Sequence, residues 1–176
     1  MPRRALLPLV LALLAVPAAG ASADYTIRTK DGAITRIGAL RAADATVMRA
    51  GEVFGMPSTT DPVGDGSDAC RLEWDDLRLR ATFANFGGAG ACDQGRLQTA
   101  TIRSREFRTW KGLRVGDRSS SIKRKHPRAR FRRNVWWVTS MISPFGEEAT
   151  RIPTIEAIVK AGRVEVLRLW VGAAGD

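Results

Sequence analysis

The stretch Trp110-Lys111-Gly112-Leu113-Arg114-Val115-Gly116-Asp117 is the clearer of two copies of a motif in this chain. A weaker echo of it, Ile37-Gly38-Ala39-Leu40-Arg41-Ala42-Ala43-Asp44, lies near the start. Each copy precedes a segment with helical signals and then several segments with strand signals. The two copies predict an α+β fold of two tandem units, each a short helical segment packed on a small antiparallel sheet.

The predicted units span 37–109 and 110–176, after a lead-in segment over 24–36 that is either mobile or strand-like. In the first unit, apolar residues at helical spacing predict a helix over Ala42 to Phe54. Asp44 is a candidate cap near its start. Gly55 can take the left-handed stop that ends it. The Asp-, Gly- and Pro-rich stretch from Ser58 to Asp68 predicts an exposed loop.

Strand signals are strongest in two predicted hairpins. Ala69 to Trp74 and Leu77 to Phe83 form the first, joined at Asp75-Asp76. Ile155 to Lys160 and Val164 to Val171 form the second, around Ala161-Gly162. In this hairpin the alternation slips phase between Val166 and Leu167, which indicates a bulge or a strand that is buried on both faces.

The second unit begins with a short predicted helix, which starts at Asp117 or Ser119 and runs through Lys125. Pro127 ends it. The following Val135-Trp136-Trp137-Val138 predicts a strand. Because side chains alternate along a strand, its two tryptophans must point to opposite faces.

The first 23 residues have the three parts of a secretory signal peptide. Arg3 and Arg4 supply the positive start, Leu6 to Val16 the short apolar core, and Ala21-Ser22-Ala23 a small-residue cleavage site. We therefore expect a secreted protein, extracellular or associated with the cell envelope, without a transmembrane span after signal removal. The two cysteines, Cys70 and Cys92, are expected to form a disulfide in an oxidising compartment.

Positive charge is concentrated in one part of the chain. The whole sequence carries a net charge of +10, and Ile102 to Arg133 contains thirteen arginines and lysines against only Glu106 and Asp117. Such a localised charge attracts polyanions or an acidic partner, and it equally serves as a solvated face. Arginine predominates, and its planar guanidinium suits carboxylates and phosphates.

Signals for catalysis, metal and cofactor are weak. His126 is the only histidine, lies in a basic run whose charges disfavour a protonated ring, and reads as a surface or capping residue. The acids Asp61, Asp65 and Asp68 do not have the spacing of a calcium loop. We expect no enzyme activity, no cofactor and no metal site.

The two openings carry a resemblance. Gly38-x-Leu40-Arg41-x-x-Asp44 and Gly112-Leu113-Arg114-x-Gly116-Asp117 resemble the repeat of the β-lactamase inhibitor protein and of the small outer-membrane assembly lipoproteins. Those families share a Gly-Leu-x-x-Gly-Met-Thr/Ser opening, which matches Gly112, Leu113, Gly116 and Ser119. Asp117 stands where methionine is usual. With the final Trp170-Val171-Gly172, the second opening is still more similar to uncharacterised exported proteins of high-GC Gram-positive bacteria.

What the resemblance implies is a non-catalytic, inhibitor-like module that holds a partner protein on a sheet face with aromatic and arginine side chains. Trp74, Trp110, Trp136, Trp137 and Trp170 lie on or beside predicted strands, and each could instead fill the core. An alternative function is attachment to anionic envelope polymers through 102–133, with nucleic acid unlikely. The candidate partner-binding residues are Trp136, Trp137, Lys123, Arg124, Arg128, Arg130 and Arg132; Gly112, Leu113, Gly116 and Asp117 are candidate structural residues of the motif.

Overall fold

A computed structural model of the chain describes residues 25–63, 68–87, 90–143 and 150–172. The predicted signal peptide over 1–23 lies outside these residues. The described part is 53% strand and 15% helical. It is therefore mostly β, with short helices.

In chain order, the strands of the described residues are β1 (Tyr25–Lys30), β2 (Ala33–Ile37), β3 (Leu40–Arg41), β4 (Thr59–Val63), β5 (Ala69–Trp74), β6 (Leu79–Ala84), β7 (Arg96–Ile102), β8 (Phe107–Thr109), β9 (Arg130–Arg132), β10 (Val135–Ile142), β11 (Arg151–Lys160) and β12 (Arg163–Trp170). The helices are α1 (Val47–Phe54), α2 (Ala91–Gln94) and α3 (Ser120–Lys125), with a 3-10 turn at Ala42–Asp44 before α1.

These strands form two sheets. One has eight strands in the order β4-β5-β6-β7-β12-β11-β10-β9, with every neighbouring pair antiparallel. The other has four strands in the order β3-β2-β1-β8, in which only β1 and β8 run parallel. The segment 25–36, predicted as mobile or strand-like, supplies β1 and most of β2.

The predicted fold of two separate helix-plus-small-sheet units is wrong. The eight-stranded sheet runs across the predicted boundary at residue 110, because β7 pairs with β12 in the register Ile102 to Leu167 and Ala100 to Leu169. All four of these side chains are buried. Left unpaired, β7 and β12 would each present an apolar edge with unsatisfied backbone groups, and pairing removes both edges.

Several local predictions are confirmed. The hairpin β5–β6 and the hairpin β11–β12 form where the alternation indicated. At the predicted phase slip the strand is buried on both faces, because Val166 and Leu167 are both buried, and the register shift lies just before it, between Val164 and Val166. Helix α1 ends at Gly55, whose φ of 87° is the left-handed region that favours glycine. Its cap is Thr46, whose hydroxyl accepts a hydrogen bond from the Arg49 amide, rather than Asp44.

The predicted loop from Ser58 to Asp68 is partly wrong, because β4 occupies Thr59–Val63. Pro62 on this strand cannot donate a backbone hydrogen bond, which is tolerated because β4 is the edge strand of the sheet. Asp65 lies outside the described residues.

The core lies between the two sheets and beneath the helices. Tyr25 stacks on Phe107 in the four-stranded sheet, and Phe54 of α1 contacts both rings and Trp74 of β5. Trp74 is buried and donates its indole N–H to the Gly55 carbonyl. These contacts make α1 and the small sheet one layer packed on the large sheet.

The predicted disulfide is confirmed. Cys70 of β5 is bonded to Cys92 of α2 with an S–S distance of 2.03 Å. The bond closes a loop of 22 residues. It holds α2 against the β4–β7 half of the large sheet, away from the basic segment.

Candidate functional site

A basic groove of about 1160 Å³ lies where the small sheet, α3 and strand β10 meet. The turn between β1 and β2 forms one wall, with Asp31 and Gly32. The chain around His126 and Pro127 forms another, and β10 from Trp137 to Ser140 forms the third. Five cationic side chains line it, namely Lys111, Lys123, Arg128, Arg130 and Arg151.

The wall formed by the β1–β2 turn is fixed to the large sheet by close contact. A Cβ on Gly32, whose φ is 89°, would overlap the carbonyl oxygen of Ser140. The buried Thr154 hydroxyl donates to the Gly32 carbonyl, and Thr139 therefore donates its own hydroxyl hydrogen to Thr154. Glycine is needed here because no side chain fits between the turn and the strand.

The Trp110 to Asp117 motif shapes the opposite wall. Leu113 is fully buried, and its amide donates to the Thr109 hydroxyl at 3.1 Å. Lys125, at the end of α3, donates to the Gly112 carbonyl at 2.6 Å and to the Asp117 carboxylate at 2.7 Å. Asp117 thus ties the motif to the far end of the helix that it precedes.

His126 lies in the groove wall and is buried, so of the two predicted roles the surface role is wrong. The capping role is confirmed, because His126 is the C-cap of α3 and its amide donates to the Ile122 carbonyl. Its Nε2 is 2.8 Å from the Thr109 hydroxyl, and Trp110 packs edge-on against its ring. Burial, followed by the charges of Lys111 and Lys125, lowers the pKa of His126 to about 4. The expectation that its neighbours disfavour a protonated ring is confirmed, although burial is the larger cause.

The two adjacent tryptophans line different grooves. Trp137 lies opposite Arg130 across β9–β10, with the Arg132 guanidinium 5.7 Å from its ring centre, and it lines the basic groove. Trp136 pairs with Phe131, with ring centres 5.4 Å apart, and lines a second groove of about 710 Å³. This separation is the consequence of strand alternation.

The predicted basic residues divide between these surfaces. Arg128 and Arg130 are exposed and line the basic groove, whereas Lys123 lines both grooves. Arg132 contacts Trp137. Arg124 lines neither groove, and its guanidinium donates to the Ser121 hydroxyl at 2.9 Å.

Three of the cationic and tryptophan side chains that line the groove were not predicted as site residues. Trp110, which is 37% exposed, follows β8 directly, and Lys111 comes next. Arg151 begins β11. The sequence offered one usable signal, the aromatic and basic pair at the start of the motif; Arg151 has no local signal because only strand pairing places it there.

Within the described residues, no group of three or more histidine, cysteine, aspartate or glutamate side chains is arranged to hold a metal ion. None of the helices in these ranges is long and apolar enough to cross a membrane. Comparisons of the chain with models of known families, with curated proteins and with solved structures found no match, so the resemblance inferred from the motif stays a prediction.

Proposed function

We propose that this is an exported, non-catalytic binding protein whose basic groove holds an acidic segment of a partner protein. The observation that carries the proposal is the lining of the groove. Among the described residues it combines five cationic side chains and two tryptophans with one carboxylate, Asp31.

The combination suits a protein segment better than a featureless polyanion. Tryptophan and arginine are the side chains that most often carry interface energy, and they do so in concave sites that exclude water. Trp137 and Trp110 offer apolar contact, whereas Arg128 and Arg130 offer hydrogen bonds to carboxylates. A partner segment that alternates acidic and apolar residues would use both kinds of contact.

Export is supported by the disulfide and by the signal-like pattern over 1–23. A disulfide persists in oxidising compartments and is rare in the cytosol.

A second candidate is attachment of segment 102–133 to an anionic envelope polymer. It is favoured by the exposure of four arginines in and beside β9, namely Arg128, Arg130, Arg132 and Arg133. Such binding would depend on charge and would not require the indole rings.

A peptide titration tests the proposal. A labelled twelve-residue peptide of alternating aspartate and leucine is titrated against the whole protein and followed by fluorescence anisotropy, with an asparagine and leucine peptide as the neutral control. We expect the acidic peptide to bind, and Trp137→Leu or Arg130→Gln to weaken it about tenfold. The matched control Trp170→Leu removes an indole that is 39% exposed on β12 and is not part of the groove lining.

Equal affinity for the two peptides, or a loss with Trp170→Leu as large as with Trp137→Leu, would overturn the assignment. Retained binding in Trp137→Leu together with loss in Arg130→Gln would favour the polymer candidate.

A further inference from the structure

A row of arginines crosses the outward face of the four-stranded sheet. Arg28 of β1 lies directly opposite Arg36 of β2, and Arg36 lies directly opposite Arg41 of β3. Residues in direct register point to the same face of a sheet, with strands about 4.8 Å apart. All three side chains are exposed.

The row continues on the other side of β1. Arg108 of β8 lies opposite Thr26, two residues before Arg28, and it also bridges to Arg114 in the antiparallel sense. Both arginines are exposed, whereas Leu40 and Leu113, the residues preceding Arg41 and Arg114, are buried. The Leu-Arg pair of each copy thus buries a leucine and places an arginine opposite another arginine.

Two arginines of the large sheet lie opposite carboxylates, whereas Arg163 lies opposite Lys160 beside the β11–β12 turn. Arg80 lies opposite Glu73 with 2.7 Å between the charged groups, and Arg168 lies opposite Glu156 with 3.3 Å between them. In the four-stranded sheet, by contrast, Arg36 faces an arginine on each side, Arg28 on β1 and Arg41 on β3. Like charges directly opposite each other destabilise a sheet, so the row costs stability that a bound anion would restore.

Acidic neighbours do not neutralise the centre of the row. Within the described ranges, no carboxylate forms a salt bridge with Arg28, Arg36 or Arg114, and Arg41 reaches only the exposed Asp44 at 3.6 Å. The centre of the sheet face is therefore an exposed, uncompensated line of guanidinium groups.

We propose that this arginine row binds a linear phosphodiester polymer without bases, of the polyol phosphate type. Guanidiniums on successive strands, which are about 4.8 Å apart, can pair with successive charges of an extended chain. The guanidinium fork matches phosphate oxygens with two hydrogen bonds. The proposal does not depend on the function assigned to the groove.

Nucleic acid fits this face less well. Proteins that hold single strands stack the bases on aromatic side chains, and each stacked base contributes substantially. The four strands of this sheet carry two aromatic side chains, Tyr25 and Phe107, and both are buried. A polymer that carries phosphates but no bases needs only the guanidinium contacts that the row provides.

Binding of a glycerol phosphate oligomer to the whole protein is measured by calorimetry in 50 mM salt, beside an oligothymidylate of equal charge. The double variant Arg28→Gln with Arg36→Gln should weaken glycerol phosphate binding at least tenfold. The charge-matched control, Arg103→Gln with Lys160→Gln, removes two exposed cations outside the row and should change it less than twofold. A groove variant, Arg128→Gln with Arg130→Gln, should also leave it unchanged.

Unchanged glycerol phosphate binding in the row variant would overturn the proposal, as would tenfold tighter binding of the oligothymidylate. A loss confined to the groove variant would place the polymer in the groove and reject the row. Circular dichroism of each variant shows whether it is folded, and because the substituted side chains are exposed we expect wild-type spectra.

Discussion

The basic groove and the arginine row are both rich in cations, but they differ in shape and in chemistry. The groove is concave, and its cations stand beside Trp110, Trp137 and the buried His126. The row lies on the exposed face of a sheet, where Arg36 faces Arg28 on one side and Arg41 on the other. If only their positive charge were considered, the two regions would be expected to bind the same ligands.

The difference shows that what surrounds a cation decides what it can recognise. Apolar rings beside a charge favour a ligand with both acidic and apolar groups, and such contacts are only partly screened by salt. Exposed guanidiniums with no rings favour repeated negative charge, and their binding is governed by counterion release. The predictions below test whether the two regions behave as separate sites.

Removal of the disulfide should have the largest effect, on stability alone. Replacing Cys70 and Cys92 with alanine frees a 22-residue loop and should lower the free energy of unfolding by about 3 kcal/mol, measured by urea denaturation. Affinity at the groove and at the row should not change, because neither cysteine belongs to either surface. A selective loss at one site would show that this site depends on the clamp of α2.

Salt should weaken binding at the arginine row more than binding at the groove. If the row contacts about four phosphates of a single strand, its affinity should fall about fiftyfold between 50 and 200 mM salt. The acidic peptide in the groove should lose less than tenfold over the same range, because part of its binding is apolar. Parallel titrations at several salt concentrations give both slopes. Equal slopes would mean that the rings of the groove contribute nothing.

The contrast between the regions also shows how far sequence reasoning reaches. Helix ends and hairpins depend on neighbouring residues, so Gly55 and Ala161-Gly162 could be predicted. The disulfide could be predicted because Cys70 and Cys92 are the only two cysteines of a chain with a signal-like start. The pairing of β7 with β12 could not, because strands some 60 residues apart carry no local mark of their partner.

The two binding surfaces were predictable to different degrees. Charge density along 102–133 identified Arg128 and Arg130, and alternation separated Trp136 from Trp137. The arginine row depends on the register between β1 and β2, which shifts after Arg28 and aligns Arg36 with Arg28. The shift leaves Thr35 without a partner residue on β1, and Ile34 and Ile37 are both buried. A slip of one residue would turn those side chains to the other face, and the sequence does not record it.

Acid should affect the groove side of the molecule through His126. Its folded pKa of about 4 lies below the ordinary value of 6.5, so the unfolded chain takes up the proton first as the pH falls. The stability that the folded protein gains from keeping His126 neutral is fully present above about pH 6.5 and is lost as the pH falls towards 4. Relative to His126→Gln, wild type should lose about 2 kcal/mol of unfolding free energy between pH 7 and 4.5, measured by urea denaturation at each pH. A parallel decline in both proteins would contradict this.

The smallest effect should be opposite in sign in the two sheets. Arg36→Thr relieves repulsion from Arg28 and Arg41, and threonine favours strands, so the free energy of unfolding should rise by about 0.5 kcal/mol. The matched change Arg80→Thr breaks the pair between the exposed Arg80 and the half-buried Glu73 and should lower the free energy of unfolding by up to about 0.5 kcal/mol. Urea denaturation at low salt resolves the difference, and high salt should shrink both effects. If Arg36→Thr were destabilising, the arginines of the row would not be repelling one another, and a bound anion would have no repulsion to relieve.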